Sequence, residues 1–180
     1  MKNLSLHILD IIQNSIRAKA NLIELEICEH LKENKFLITI KDNGTGVEKE
    51  KLNQILDPYF TSRKTRDVGL GLSLFKQNAE RAGGFLKIYS KLGRGTVVRT
   101  MFEYNNIDRP VLGDIAGVVT LLVASNPKIE FLYKHKTDNG EFFFNSKEIK
   151  NILEDVSVTE PKVISFIKEM INENLQSIKL

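Results

Sequence analysis

The stretch Asp42-Asn-Gly-Thr-Gly-Val47 constrains this chain more than any other. It follows Phe36-Leu37-Ile38-Thr39-Ile40, whose alternation reads as a half-buried strand. A carboxylate at the end of a strand can accept a hydrogen bond from an exocyclic amine such as that of adenine. Gly44 and Gly46 let the backbone turn tightly and let a flat ring come close to it. On these residues alone, Asp-Asn-Gly is equally a common turn, and Asp-x-Gly-x-Gly also serves as a metal loop. The rest of the chain decides between these uses.

That chain is otherwise ordinary. Its 180 residues, 42% hydrophobic and 27% charged, suit one domain with an extension or two small ones, with enough apolar side chains for a core. The net charge of +3 is spread among interspersed acids and bases, which argues against a nucleic-acid footprint. The single cysteine, Cys28, excludes an internal disulfide and reads as a buried thiol in a reducing compartment. His7, His30 and His135 lack zinc spacing. The first residues already read as a helix, so no signal peptide is expected. The longest apolar run, Ile115 to Ala124, falls short of the ~20 residues that span a bilayer. The expectation is a cytoplasmic protein with no membrane contact.

From Leu4 to Ala20, Leu4, Ile8, Ile11, Ile12 and Ile16 recur at helical spacing. Asp10 and Asn14 lie one turn apart on another stripe. As a plain pair they are solvated polar residues. As a functional pair, the Asn14 amide oxygen is a hard neutral ligand for Mg²⁺, and the Asp10 carboxylate can take a proton from an attacking water. Leu22–Glu29 and Lys35–Asp42 read as strands, and Val47 to Leu56 as a short helix running into Asp57 and Pro58. In Pro58-Tyr59-Phe60-Thr61-Ser62-Arg63-Lys64-Thr65-Arg66, hydroxyls and cations are donors that a triphosphate can use, although a charged surface loop has the same composition. Gly69-Leu70-Gly71-Leu72-Ser73 opens a helix that runs to Ala82, and such a glycine-rich start exposes N–H groups to an anion. It lacks the third glycine of a dinucleotide fingerprint, and no Walker sequence occurs. Phe85–Lys91 and Thr96–Tyr104 read as a hairpin around Gly93-Arg94-Gly95.

In this order the pieces resemble the GHKL superfamily of DNA gyrase, heat-shock chaperone, histidine kinase and mismatch-repair ATPases, over residues 1–104. The resemblance implies a Bergerat fold: an α+β, two-layer sandwich of a mixed sheet with helices on one face, binding ATP and Mg²⁺. By residue, it implies Asn14 for the metal and Ala18 beside it, and Asp42, Gly44, Gly46 and Val47 at adenine. It implies an aromatic box from Tyr59 and Phe60 through Thr61, Ser62, Arg63 and Lys64, with Arg63 and Lys64 on the γ-phosphate. Gly69, Leu70, Gly71 and Leu72 would flank the phosphates, and Thr96 would lie near adenine. A short lid would span Ser62 to Val68. The aromatic box looks most like that of histidine kinases. Two departures follow. Only nine residues precede Asp10, so the phosphoacceptor hairpin of histidine kinases is expected to be absent, and His7 reads as a helix-face residue without a role. Family members that hydrolyse ATP usually carry Glu where Asp10 stands.

Asn105–Pro110 reads as a linker, and residues 111–180 as a small α+β C-terminal appendage for partner recognition. A helix over Asp114–Ala124, a hairpin of Ile129–His135 and Glu141–Phe144, and a helix through Leu153 capped by Asn145 or Ser146 are expected. A last helix would start at Thr159-Glu160-Pro161, with Thr159 as its cap. Its stripe of Val163, Ile164, Phe166, Ile167, Met170, Ile171 and Leu175 suits a core, or a docking face for a partner or a second copy of the chain as a homodimer. The expected function is that of a stand-alone histidine kinase-like ATPase acting on a separate protein partner or phosphoacceptor. The alternatives are a serine kinase resembling the anti-sigma factors and a non-transferring ATP switch.

Overall fold

The structure, a computed structural model, describes residues 3–55, 71–154 and 156–180. These residues form a six-stranded mixed sheet and six helices. The strands are β1 (Leu22–His30), β2 (Lys35–Asp42), β3 (Phe85–Lys91), β4 (Gly95–Glu103), β5 (Glu130–Thr137) and β6 (Gly140–Asn145). Their order is β3-β4-β2-β1-β5-β6, and each neighbouring pair is antiparallel except β1 with β5. The helices are α1 (Leu4–Arg17), α2 (Lys49–Ile55), α3 (Gly71–Arg81), α4 (Ile115–Ser125), α5 (Ser146–Leu153) and α6 (Pro161–Ser177).

Period-two alternation gives the sheet one covered face. Ile23, Leu25 and Ile27 of β1, Phe36, Ile38 and Ile40 of β2 and Phe131 and Tyr133 of β5 are all buried, while Glu26, Lys41 and Lys136 between them are exposed. The covered face packs on Leu4, Ile8, Ile11 and Ile12 of α1 and on Phe75 of α3. Phe75, fully buried, lies between the His7 ring, stacked at 4.8 Å, and the Phe102 ring at 5.8 Å. His7 is therefore a core residue, and burial holds its imidazole below the ordinary histidine pKa.

The C-terminal region continues the same sheet. β5 lies in register beside β1, with Leu22 opposite Glu130 and Glu29 opposite Thr137, and α4 packs on α6, with Val118, Val119, Val163 and Ile167 buried in the core. At the start of α4 the Asp114 carboxylate accepts the Gly117 N–H at 2.8 Å and the Lys168 ammonium of α6 at 2.7 Å. Residues just beyond the expected linker bind the start of α1: the Leu4 and Ser5 N–H groups donate to the Val111 and Leu112 carbonyls. Within that linker Arg109 donates to the Tyr104 carbonyl and lies 4.8 Å from both the Phe36 and Tyr104 ring centroids.

Several expectations are corrected locally. α1 ends at Arg17 rather than Ala20, because Lys19 turns into the left-handed region at φ 58°. Glu160, not Thr159, occupies the cap position of α6 and makes no side-chain capping bond, while the Thr159 hydroxyl pairs with Ser157. Asn145 caps α5 by accepting the Lys147 N–H. Cys28 is half-buried on the less covered face rather than in the core, and burial followed by the Glu26 charge pushes its thiol pKa up. Among the described residues no helix is long and apolar enough to cross a membrane.

Candidate functional site

Asp42 ends β2 on the covered face, opposite Ile23 on one side and Thr96 on the other. Only 8% of it is exposed. Such a carboxylate needs partners. One oxygen accepts the Ser15 hydroxyl of α1 at 2.7 Å, and the other accepts the Gly44 N–H at 2.9 Å. An ionised carboxylate offers about four acceptor sites, so these two bonds fix its plane and leave lone pairs for a ligand.

The turn beyond it is held from three sides. The Asn43 amide oxygen accepts the Asn21 and Leu22 N–H groups, each at 3.0 Å. Thr45 N–H donates to the Ala18 carbonyl at 2.8 Å, and Gly93 N–H to the Thr45 carbonyl at 2.7 Å. Val47 N–H donates to the Ser90 hydroxyl at 2.8 Å, and Ser90 Oγ lies 2.9 Å from Thr96 Oγ1. Two glycines make this closure possible. A Cβ on Gly44 would lie 2.7 Å from the Ala18 carbonyl oxygen, and one on Gly46, at φ 68°, would lie 2.1 Å from the Lys91 carbonyl oxygen.

These elements enclose a cavity of about 480 Å³, within the size range of small-molecule sites. Asp42 and Thr96 line it from the sheet, Asn14 and Ala18 from α1, Gly46 and Val47 from the turn, and Leu72 from α3. Its other walls are largely apolar, with Ile11, Ile88 and Val98. A flat ring with one polar edge suits such a space. The Asn14 side-chain oxygen accepts a bond from the Arg17 guanidinium at 3.0 Å, at an exposed position. Asp10, one turn before Asn14, is half-buried against the start of α3: a Cβ on Gly71 would lie 2.6 Å from its carboxylate oxygen.

Of the residues expected from sequence, Asn14, Ala18, Asp42, Gly46, Val47, Leu72 and Thr96 line one cavity. Gly44 packs behind it, and Gly71 abuts Asp10. Tyr59, Phe60, Thr61, Ser62, Arg63, Lys64, Gly69 and Leu70, with the expected lid, lie outside the described residues. Sequence reasoning passed over Ser15 and Arg17. Ser15 stands four residues after Ile11 and three after Ile12, so it is a hydroxyl on an apolar stripe, and that was its signal. Arg17, three residues after Asn14, was within reach by the same spacing.

Residues 2–106 match the family of histidine kinase-, DNA gyrase B- and HSP90-like ATPases. The chain belongs to this family. It therefore carries an ATP-binding domain of the histidine kinase-like type. A sensor protein of Shewanella frigidimarina is 33% identical over 97 residues, covering 53% of this chain and 15% of the relative. The sensor protein kinase GraS of Staphylococcus aureus is 31% identical over 100 residues, covering 53% of this chain and 29% of the kinase. The chain thus spans under a third of the length of these relatives.

Two solved structures share the fold. The ATPase domain of Aquifex aeolicus MutL, complexed with ADP, superposes with a TM-score of 0.52 at 15% identity, over 94% of this chain and 70% of that one. The N-terminal domain of a DNA repair protein superposes with a TM-score of 0.55 at 17% identity, over 79% of this chain and 52% of that one. At these identities the likeness concerns the Bergerat fold alone.

Proposed function

We propose that this domain binds ATP with Mg²⁺ in the cavity between α1, β2 and β4 and acts as a regulatory kinase or ATPase toward a separate protein. The observation that carries the reading is the buried Asp42 carboxylate. It is pinned by Ser15 and Gly44 at the wall of a cavity that Asn14 and Thr96 also line. A carboxylate acceptor among apolar walls suits an adenine amine. The glycine-tightened turn lets a ring approach the backbone.

The residues present also suit the metal. Asn14 offers a neutral hard oxygen on the cavity wall, a ligand type that Mg²⁺ accepts when phosphates supply the negative charge. Bound Mg²⁺ would neutralise phosphate charge during transfer. Arg17 would give up the Asn14 oxygen and remain beside the phosphates as a cation. Asp10 would act as the acid/base group, held against α3 by the contact at Gly71. By the sequence resemblance, Arg63 and Lys64 would engage the γ-phosphate. Residues 111–180 would serve partner recognition, with 105–110 as the boundary between the two functions.

Incubation with γ-labelled ATP and Mg²⁺ tests this reading. Free labelled phosphate that disappears in Asp10→Ala, while ATP binding persists, is the expected outcome for an ATPase. Label on a histidine or aspartate of an added partner is the expected outcome for a kinase. ATP binding that is absent from the wild-type chain would overturn the proposal, and release unchanged in Asp10→Ala would overturn the role of Asp10.

A further inference from the structure

The far end of the sheet holds a polar network that the nucleotide site does not use. Along β1, Ile23 lies opposite Asp42 and Glu29 opposite Phe36, which puts Glu29 about 20 Å from the nucleotide cavity. Glu29 continues the inward-facing series Ile23, Leu25 and Ile27, so a carboxylate stands where an aliphatic side chain would extend the core. His135, 3% exposed, places Nε2 at 2.8 Å from the Glu29 Oε1, and Tyr133, 1% exposed, places its hydroxyl at 2.7 Å from His135 Nδ1.

With the Tyr133 hydroxyl donating to Nδ1 and Nε2–H donating to Glu29, one tautomer of the ring links all three groups. The relay holds one oxygen of Glu29, and the Tyr104 hydroxyl also hydrogen-bonds the carboxylate, so its orientation is fixed from two sides. The hydroxyls of Tyr133 and Tyr104 both have pKa values pushed up, by burial first and by the Glu29 charge second.

Glu29, His135 and Tyr104 open onto a second cavity of about 330 Å³ between the sheet and α6. Its walls include Leu112 and Leu175, and its rim carries the exposed Gln176 and Lys179. Asp114 also lines it, but its charge is taken by Lys168. A half-buried carboxylate beside an aromatic ring and aliphatic walls is the chemistry that selects an organic cation with a short apolar body.

We propose that this cavity is a second ligand site, which takes a small alkylammonium compound with its cation on Glu29 and its chain against Leu112 and Leu175. Lys179, the one Lys or Arg among the described lining residues, is the cation placed to compete for the same cavity.

The test is a titration of the full chain with n-butylammonium, n-butanol and butyrate, read from amide chemical shifts and calorimetry. Saturable shifts at Leu112, Ile115 and Leu175 with n-butylammonium alone are expected. Glu29→Gln, which keeps the shape, should weaken that binding by about tenfold or more and leave ATP affinity unchanged. Lys179→Met, at an exposed position, should tighten it by roughly threefold. Equal binding of n-butanol, the absence of saturable shifts, or affinity unchanged in Glu29→Gln would overturn the assignment. If Glu29→Gln fails to fold, Lys179→Met decides the matter, and affinity that does not rise in it would overturn the site.

Discussion

Replacing Asp42 by Asn separates recognition from stability at the proposed nucleotide site. The carboxylate accepts two protein bonds, from Ser15 Oγ at 2.7 Å and Gly44 N–H at 2.9 Å. An Asn side chain can keep the Gly44 bond with its oxygen and turn its NH₂ toward Ser15. The Ser15 hydroxyl can then accept from that NH₂ and donate to the Ile11 carbonyl, already 3.4 Å away. The fold should thus lose about 1 kcal/mol. Recognition should lose more, because the acceptor for an exocyclic amine becomes weaker and uncharged. A hydrogen bond to a charged group contributes about 1.5–3 kcal/mol, which corresponds to roughly 10- to 150-fold in Kd. Calorimetric titration with ATP and with GTP, alongside thermal melting, reads both effects. The account expects near-native melting, weaker ATP binding and a reduced preference for ATP over GTP. An ATP affinity within about threefold of wild type, with the preference for adenine intact, would refute the assignment.

Other positions give sharp expectations. Gly46→Ala puts a Cβ 2.1 Å from the Lys91 carbonyl oxygen at a φ of 68°, so the turn must open; ATP affinity should fall by more than tenfold, as calorimetry would show. Phe75→Ala empties the space between His7 and Phe102 and should cost about 3–5 kcal/mol in a denaturant titration. Asp114→Ala removes the cap of α4 and its tie to Lys168, which should cost about 1 kcal/mol and about 2–4 °C in melting temperature at neutral pH. The Lys168 bond, and then the Gly117 N–H, hold the Asp114 pKa below the ordinary carboxylate value of about 3.9. A carboxyl whose pKa is depressed by folding contributes stability above its unfolded pKa and loses it as pH falls through the lower folded one. The difference in melting temperature between wild type and Asp114→Ala should therefore shrink as pH drops below about 4.

What could be read from the sequence was local. The apolar stripe of α1 and the alternation in β1 and β2 depend on side-chain periodicity. The order of α1, β2, the glycine-started α3 and the β3–β4 hairpin already suggested that their residues meet, and Asn14, Asp42 and Thr96 do line a single cavity. What could not be read depends on pairing between distant segments. Nothing within Glu130–Thr137 announces that it will lie parallel to β1, since parallel pairing carries no turn signal of its own. The Glu29–His135 contact, 106 residues apart in sequence, exists only through that register. Ser15 was hidden for a related reason: its partner Asp42 lies 27 residues away. The Thr159 cap failed because Ser157 offered its hydroxyl a nearer partner.

The most direct test of the central claim is ATP binding measured with Mg²⁺ and with chelator, in wild type and in Asn14→Ala. Mg²⁺ should strengthen ATP binding in wild type by at least tenfold, and this gain should vanish in Asn14→Ala. An Asn14→Ala protein that binds ATP as tightly as wild type, with the same dependence on Mg²⁺, would contradict that claim.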